Sequence, residues 1–154
     1  MKIIKVLSDT HGFLKEELKE ALKESDLIIH AGDIGSKEVL DELKKIAKVH
    51  AVKGNMDVGK WTFDLPKIDA FQFEDKYFYL LHNIYDLDLD PESKFDFVIT
   101  GHTHKPLIEE KEGVIYLNPG SSGPKRFCGG SESIAQIKLE NGGAECKILN
   151  LDYS

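Results

Sequence analysis

The chain has 154 residues, 41% of them hydrophobic and 31% charged, which fits one soluble domain with a real core and excludes a disordered chain. Lysine and arginine total 20 against 27 acidic residues, a net charge of −7, so a broad basic footprint for long nucleic acid is excluded. No apolar run reaches the ~18 residues of a membrane span, and Ile3–Leu7 stops at Ser8-Asp9 without a leader-peptide cleavage pattern. Together with two cysteines, Cys128 and Cys146, that lack metal-ligand spacing, this predicts a cytoplasmic protein with no membrane partner.

In chain order, Ile3–Leu7 reads as a buried strand, and Leu14, Leu18, Ala21 and Leu22 mark one helix face. Leu27–His30 is a second strand. Ser36 is placed to cap a helix carrying Val39, Leu40, Leu43 and Ile46, and Val49–Val52 is a third strand. This alternation predicts a parallel sheet with right-handed crossovers. Further on, Ile68–Phe73 with Tyr77–Leu81, Leu107–Glu110 with Val114–Leu117, and Ser133–Leu139 with Cys146–Leu151 read as three hairpins. The last carries Asn141-Gly142, a strong turn signal. Phe95–Thr100 is one more apolar strand, and the acidic stretch Asn83–Ser93 has no clear assignment. Ten strands overfill one small sheet, so the expected fold class is α/β, with two packed sheets flanked by helices in one domain spanning 1–154.

Polar residues gather where apolar strands end: Asp9-Thr10-His11, Gly32-Asp33, Gly54-Asn55, His82, and Gly101-His102-Thr103-His104. At the carboxyl edge of a parallel sheet such loops share one crevice. Two aspartates, one asparagine and four histidines form a mixed nitrogen and oxygen donor set, suited to first-row transition metals better than to calcium or magnesium. Taken singly, Asp9-Thr10-His11 reads as a capping turn, Gly32-Asp33 and Gly54-Asn55 as ordinary loops and His82 as a hydrogen-bonded core histidine, whereas the alternating histidines His102 and His104 have no obvious packing role. Their joint order and placement carry the functional reading.

In these motifs, and in Asn118-Pro119-Gly120-Ser121, the chain resembles the calcineurin-like metallophosphoesterases, especially the small single-domain phosphodiesterase branch. The resemblance implies a four-layer αββα sandwich and a dinuclear centre. Asp9, His11 and His104 would hold one divalent ion and Asn55, His82 and His102 the other, with Asp33 bridging. It implies manganese, with nickel, cobalt, iron or zinc as other occupants. A hydroxide between the ions would attack a small phosphodiester, with His102, Asp33 and Asn55 as the catalytic residues. The alternatives it leaves are a phosphomonoesterase and a weakly active scaffold of the same fold. A small phosphoester, and at most a second copy of the chain in a homodimer, are the expected partners. Two departures stand out: Met56 follows Gly-Asn where many members have histidine, and His82-Asn83-Ile84 replaces His-Gly-His. Asn83 thus occupies a glycine position for which a positive φ is expected.

Arg126, the only arginine, follows a glycine-rich loop and is a candidate phosphate contact alongside Asn55. His30 reads either as a partner orienting Asp33 or as a satisfied strand histidine, and Asp57 either as a histidine partner or as a turn former. His50 reads as structural. Trp61 and Phe63 are either core or an apolar wall for a leaving group.

Overall fold

Strand β1 (Lys2–Leu7) alternates its side chains between two apolar layers, and that alternation organises the fold. In the computed structural model, which describes residues 1–123 and 132–151, Ile4 and Val6 face a second sheet while Leu7 faces a helix layer. The neighbouring β2 (Leu27–His30) does the same, with Leu27 and Ile29 inward and Ile28 outward, in parallel register Ile4↔Leu27 and Val6↔Ile29. The first sheet continues through β3 (Lys48–Ala51), parallel to β2, and on its other side through antiparallel β9 (Glu132–Glu140) and β10 (Gly143–Leu151). Its order is β10-β9-β1-β2-β3.

The second sheet runs β4 (Ile68–Phe73), β5 (Lys76–Leu81), β6 (Phe97–Ile99), β8 (Val114–Asn118) and β7 (Leu107–Lys111) in spatial order. Its central strands β5, β6 and β8 are parallel and its edges antiparallel. Phe78, Leu80, Phe97 and Ile99 meet Ile4, Val6, Leu27 and Ile29 between the sheets. Each fully buried side chain of this kind contributes roughly 1.5–3 kcal/mol.

Helices α1 (Glu16–Leu22) and α2 (Lys37–Ile46) cover the outer face of the first sheet through Leu18, Leu22, Val39, Leu40 and Leu43. The Ser36 side chain caps α2 by accepting from the Val39 amide at 3.4 Å. The outer face of the second sheet carries Tyr79, Leu81, Val98 and Val114, and its cover is thinner. Ile84, Leu87, Leu89 and Phe95, from a 3₁₀ turn (Ile84–Asp86) and extended chain, pack there. Leucine alternates with aspartate from Leu87 to Asp90 and Pro91 follows, a period-2 pattern ending in a helix breaker, so no α-helix forms. This is the stretch that sequence periodicity left unassigned.

The three hairpins close as the sequence predicts, and the last is a two-residue turn with Asn141 at φ 53° and Gly142 at φ 78°. No helix among the described residues is long and apolar enough to cross a membrane.

Candidate metal centre

Five of the parallel strands deliver a polar loop to the same edge: β1 leads to Asp9 and His11, β2 to Asp33, β3 to Asn55, β5 to His82, and β6 to His102 and His104. The loops are stitched to one another. The amides of Asp9, His11 and Gly12 donate to the carbonyls of Gly32, Asp33 and Ile34 at 3.0, 3.0 and 2.8 Å. The His102 amide crosses from the second sheet to Asp9 Oδ2 at 3.2 Å. Asn118 Nδ2 holds the histidine loop by donating to Gly101 O (2.9 Å) and Thr103 Oγ1 (3.1 Å).

Close packing explains the glycines at two of these positions. Gly32 has φ +101°, and a Cβ there would stand 2.6 Å from His82 Nδ1; a Cβ at Gly101 would collide with Ser8 and Asp9 Oδ2. Asp9, His11, Asp33, His102 and His104 all take left-handed backbone, φ between 50° and 70°. Such angles are uncommon outside glycine and cluster at functional sites.

The side chains converge. Asp9 Oδ1 lies 3.2 Å from His104 Nε2, 3.9 Å from His11 Nε2 and 4.0 Å from His82 Nε2. Asp33 Oδ2 lies 3.3 Å from His82 Nε2. Two triples have donor atoms close enough to share an ion: Asp9, His11 and His104, and Asp9, Asp33 and His82. The first is the triple that the family resemblance implies. In the second, Asp9 joins Asp33 and His82, so Asp9 is the carboxylate common to both. His102 belongs to neither triple; it is exposed, with its ring edge-on to His82 at 5.1 Å. Asn55 is also exposed, and both line a cleft of ≈ 580 Å³ next to the triples.

Three features fit a bound cation. Asp9 is wholly buried, yet its Oδ1 accepts no hydrogen bond among the described residues. An orphaned buried carboxylate oxygen normally costs too much to persist without a partner. His82 Nδ1 faces the Ala31 carbonyl at 2.7 Å, so Nδ1 carries the proton and Nε2 points its lone pair at two carboxylates. That arrangement needs positive charge between them. The protonation balance agrees. When Nε2 carries a proton instead of facing an ion, burial works against the charge on His82, but donation to Asp33, the Ala31 carbonyl and both carboxylates raise its pKa. Burial would also raise Asp33, yet hydrogen bonds from His82 and the Met56 amide hold it down at about 2. Burial, with Asp33 adding its repulsion, pushes Asp9 up against the pull of Ser8, His82 and His104.

Around this centre the open sequence alternatives resolve. Asp57 is a loop anchor: its Oδ2 accepts from Ile34 N (3.1 Å) and Gly54 N (2.9 Å), and its Oδ1 from Gly35 N (2.9 Å). His30 is a satisfied, fully buried strand histidine that bonds Thr10 and the Gly32 amide. His50 pairs with Asp69 at 2.7 Å and stacks on Phe71, tying β3 to β4. Trp61 packs against the helix-side core, whereas Phe63 is 80% exposed. Arg126 lies outside the described residues. Asn83 corrects the sequence expectation: its φ is −117°, ordinary extended backbone, because its side chain caps the following turn by accepting from Tyr85 N. Ile84 packs on the outer face of the second sheet and does not line the cleft. Lys53 and Lys67 do line it, and sequence reading missed them because nothing in their neighbourhoods sets them apart from the other lysines.

The chain is similar to known proteins along nearly its whole length. The chain is 38% identical to a probable metallophosphoesterase of Methanocaldococcus jannaschii, over 97% of this chain and 82% of that protein. It is 31% identical to a phosphodiesterase of the same organism, over 76% of this chain and 82% of that one. In fold it is similar to Vps29 of Chaetomium thermophilum, with a TM-score of 0.77 at 16% identity, covering 98% of this chain and 97% of the other. The calcineurin-like phosphoesterase superfamily domain matches residues 1–142, and the chain belongs to that superfamily.

Proposed function

We propose that the protein is a metal-dependent phosphodiesterase acting on small substrates. The observation that carries the reading is Asp9 Oδ1, buried and without a hydrogen bond, with three imidazole Nε2 atoms within 4.0 Å. Asp9, His11 and His104 would hold one ion, and His82, with Asn55 and His102 from the cleft wall, the other. Asp33 would join the His82 side, and Asp9 Oδ1 lies in reach of both groups. The nitrogen and oxygen donor set suits manganese, nickel, cobalt, iron or zinc, and manganese is our choice. Two such ions, when bound, activate water and polarise the phosphoryl oxygens for in-line displacement.

The chain's own residues do the rest. Asp57 fixes the loops of Asp33 and Asn55 relative to each other. Exposed Asn55, ligating through Oδ1, would keep its Nδ2–H free to donate to a phosphoryl oxygen, and exposed His102 lines the same cleft. Two ions carry four positive charges, which the carboxylates of Asp9 and Asp33 only half cancel, so an anionic substrate is attracted despite the net charge of −7. The relative that is called a phosphodiesterase supports a diester over a monoester.

The test is hydrolysis of bis(4-nitrophenyl) phosphate and 4-nitrophenyl phosphate after chelation and after manganese is restored. Diester cleavage that appears only with metal, and exceeds monoester cleavage, is the expected result. Faster monoester cleavage would make the protein a phosphomonoesterase. No cleavage by the metal-replete protein would favour a scaffold that keeps the fold.

A further inference from the structure

The cleft beside the metal centre has far more room than one phosphate group needs. Its lining divides by strand position. His82 and His102 follow central strands β5 and β6, whereas Lys53 follows β3 and Lys67 precedes β4, the edge strands on that side of the two sheets. Register places Lys67 near His82, because Ile68 pairs with Leu81. Adjacent strands lie about 4.8 Å apart, so the lysines stand roughly 5–10 Å to the edge side of the metal triples.

The two lysines are held as a unit. The Lys53 amide donates to the carbonyl of Pro66, the residue before Lys67, at 2.8 Å. Just behind them the His50–Asp69 pair joins the same two strands. Neither lysine forms an ion pair among the described residues. Two acids share the cleft wall. Asp57 is saturated by three backbone amides, and Asp86, in the turn after β5, pairs with neither lysine. Val58 and Ile68 stand beside the lysines, both exposed.

We infer that Lys53 and Lys67 form a subsite for a second anionic group on the substrate, with Val58 and Ile68 covering the uncharged linker. The substrate class is then a phosphoester with two separated anionic groups, such as a nucleoside carrying two phosphates. The inference rests on the phosphoesterase reading for what happens at the first group. The second group only binds, held by charge and by ammonium donors.

The experiment is calorimetric binding of thymidine 5′-phosphate and thymidine 3′,5′-bisphosphate to the manganese-loaded full chain. The bisphosphate should bind roughly tenfold tighter, the scale of one or two partly exposed ion pairs. In the Lys53→Met/Lys67→Met variant that preference should collapse to about twofold or less, and Lys53→Arg/Lys67→Arg should restore it. Circular dichroism checks the fold, and the single variant Lys67→Met, at an exposed position, carries the test should the double variant misfold. Equal binding of both nucleotides by the native chain, or a preference that survives the methionines, overturns the subsite. A preference without any diester hydrolysis would sink the phosphodiesterase reading and leave the subsite standing.

Discussion

The Nε2–H of His30 donates to Thr10 Oγ1 at 3.0 Å, and the Thr10 hydroxyl passes its own proton to the Ile34 carbonyl at 2.8 Å. The direction is fixed because His30 Nδ1 accepts from the Gly32 amide at 3.1 Å and therefore carries no proton. A neutral ring thus locks the loops bearing Asp9, His11 and Asp33 together.

That neutrality has a consequence for stability. Burial, with the nearby His82 charge, lowers the His30 pKa from 6.5 to about 3. The unfolded chain binds a proton at His30 that the folded chain refuses throughout this window. The stability contribution is therefore full above pH 6.5 and is lost as pH falls toward 3. His30→Gln keeps polar atoms at the position but removes the titration. Between pH 6 and pH 5 the native chain should lose about 1 kcal/mol more unfolding free energy than this variant, measured by urea titration. Parallel slopes would show that the ring accepts a proton in place.

Asp57 anchors more backbone than any other side chain near the centre, since one carboxylate serves the amides of Ile34, Gly35 and Gly54. Asp57→Ala strands three amide donors in a buried setting and should cost on the order of 3 kcal/mol or more in urea unfolding. Metal affinity should fall about 10–100-fold as the loops of Asp33 and Asn55 separate. Asp57→Asn retains one acceptor oxygen and should fall between. Native metal affinity in Asp57→Ala would mean that the loops are held without it.

How far the sequence foretold this centre depends on what kind of signal each residue left. Strand ends are visible because apolar runs stop, and Asp9, Asp33, Asn55, His82 and His102 do follow strands in the fold. The choice between roles for His30 and Asp57 was not visible, because each is decided in part by a partner 20 or more residues away, the Thr10 hydroxyl for His30 and the Ile34 and Gly35 amides for Asp57, which leave no mark on composition. Left-handed backbone at Asp9, His11 and His104 was equally hidden, since it follows from how the loops cross. At Asn83 the likeness to a glycine position misled, because an asparagine side chain can cap a turn from extended backbone. The thin cover over the second sheet was not legible: Asn83–Ser93 has no helical or strand assignment in the sequence, and its leucines pack on the sheet's outer face from irregular chain.

Asp9 is the sharpest test of how the ions are shared. Its Oδ1 belongs to both triples, whereas Asp33 belongs to one and also accepts from the Met56 amide through its Oδ1. Asp9→Asn should therefore lose both metal equivalents, read by elemental analysis after gel filtration. Asp33→Asn should weaken the His82 side first. His11→Ala should lose one equivalent, and His50→Ala, remote in its pairing with Asp69, should keep two. Retention of one tightly bound ion in Asp9→Asn would give the sharing role to Asp33.

Proton donation to the leaving group typically contributes about 10²–10⁴-fold, most for poor leaving groups. Three candidates for that donor can be weighed from geometry. Asp57 is spent, because both its oxygens accept amide protons. Position 84 faces the outer cluster around Tyr79 and Val98, so Ile84→His would put a ring there and away from the cleft. Position 56 is different: Met56 is 60% exposed, stands between the cleft-lining Asn55 and Asp57, and has its amide tied to Asp33. The native chain should cleave aryl diesters far faster than alkyl diesters, with a steep rate dependence on the acidity of the departing phenol. Met56→His should flatten that dependence, gaining most on the least acidic phenols, and Ile84→His should leave it unchanged. Metal content measured in parallel separates a new proton donor from a new ligand. A shallow slope in the native chain would place the donor elsewhere.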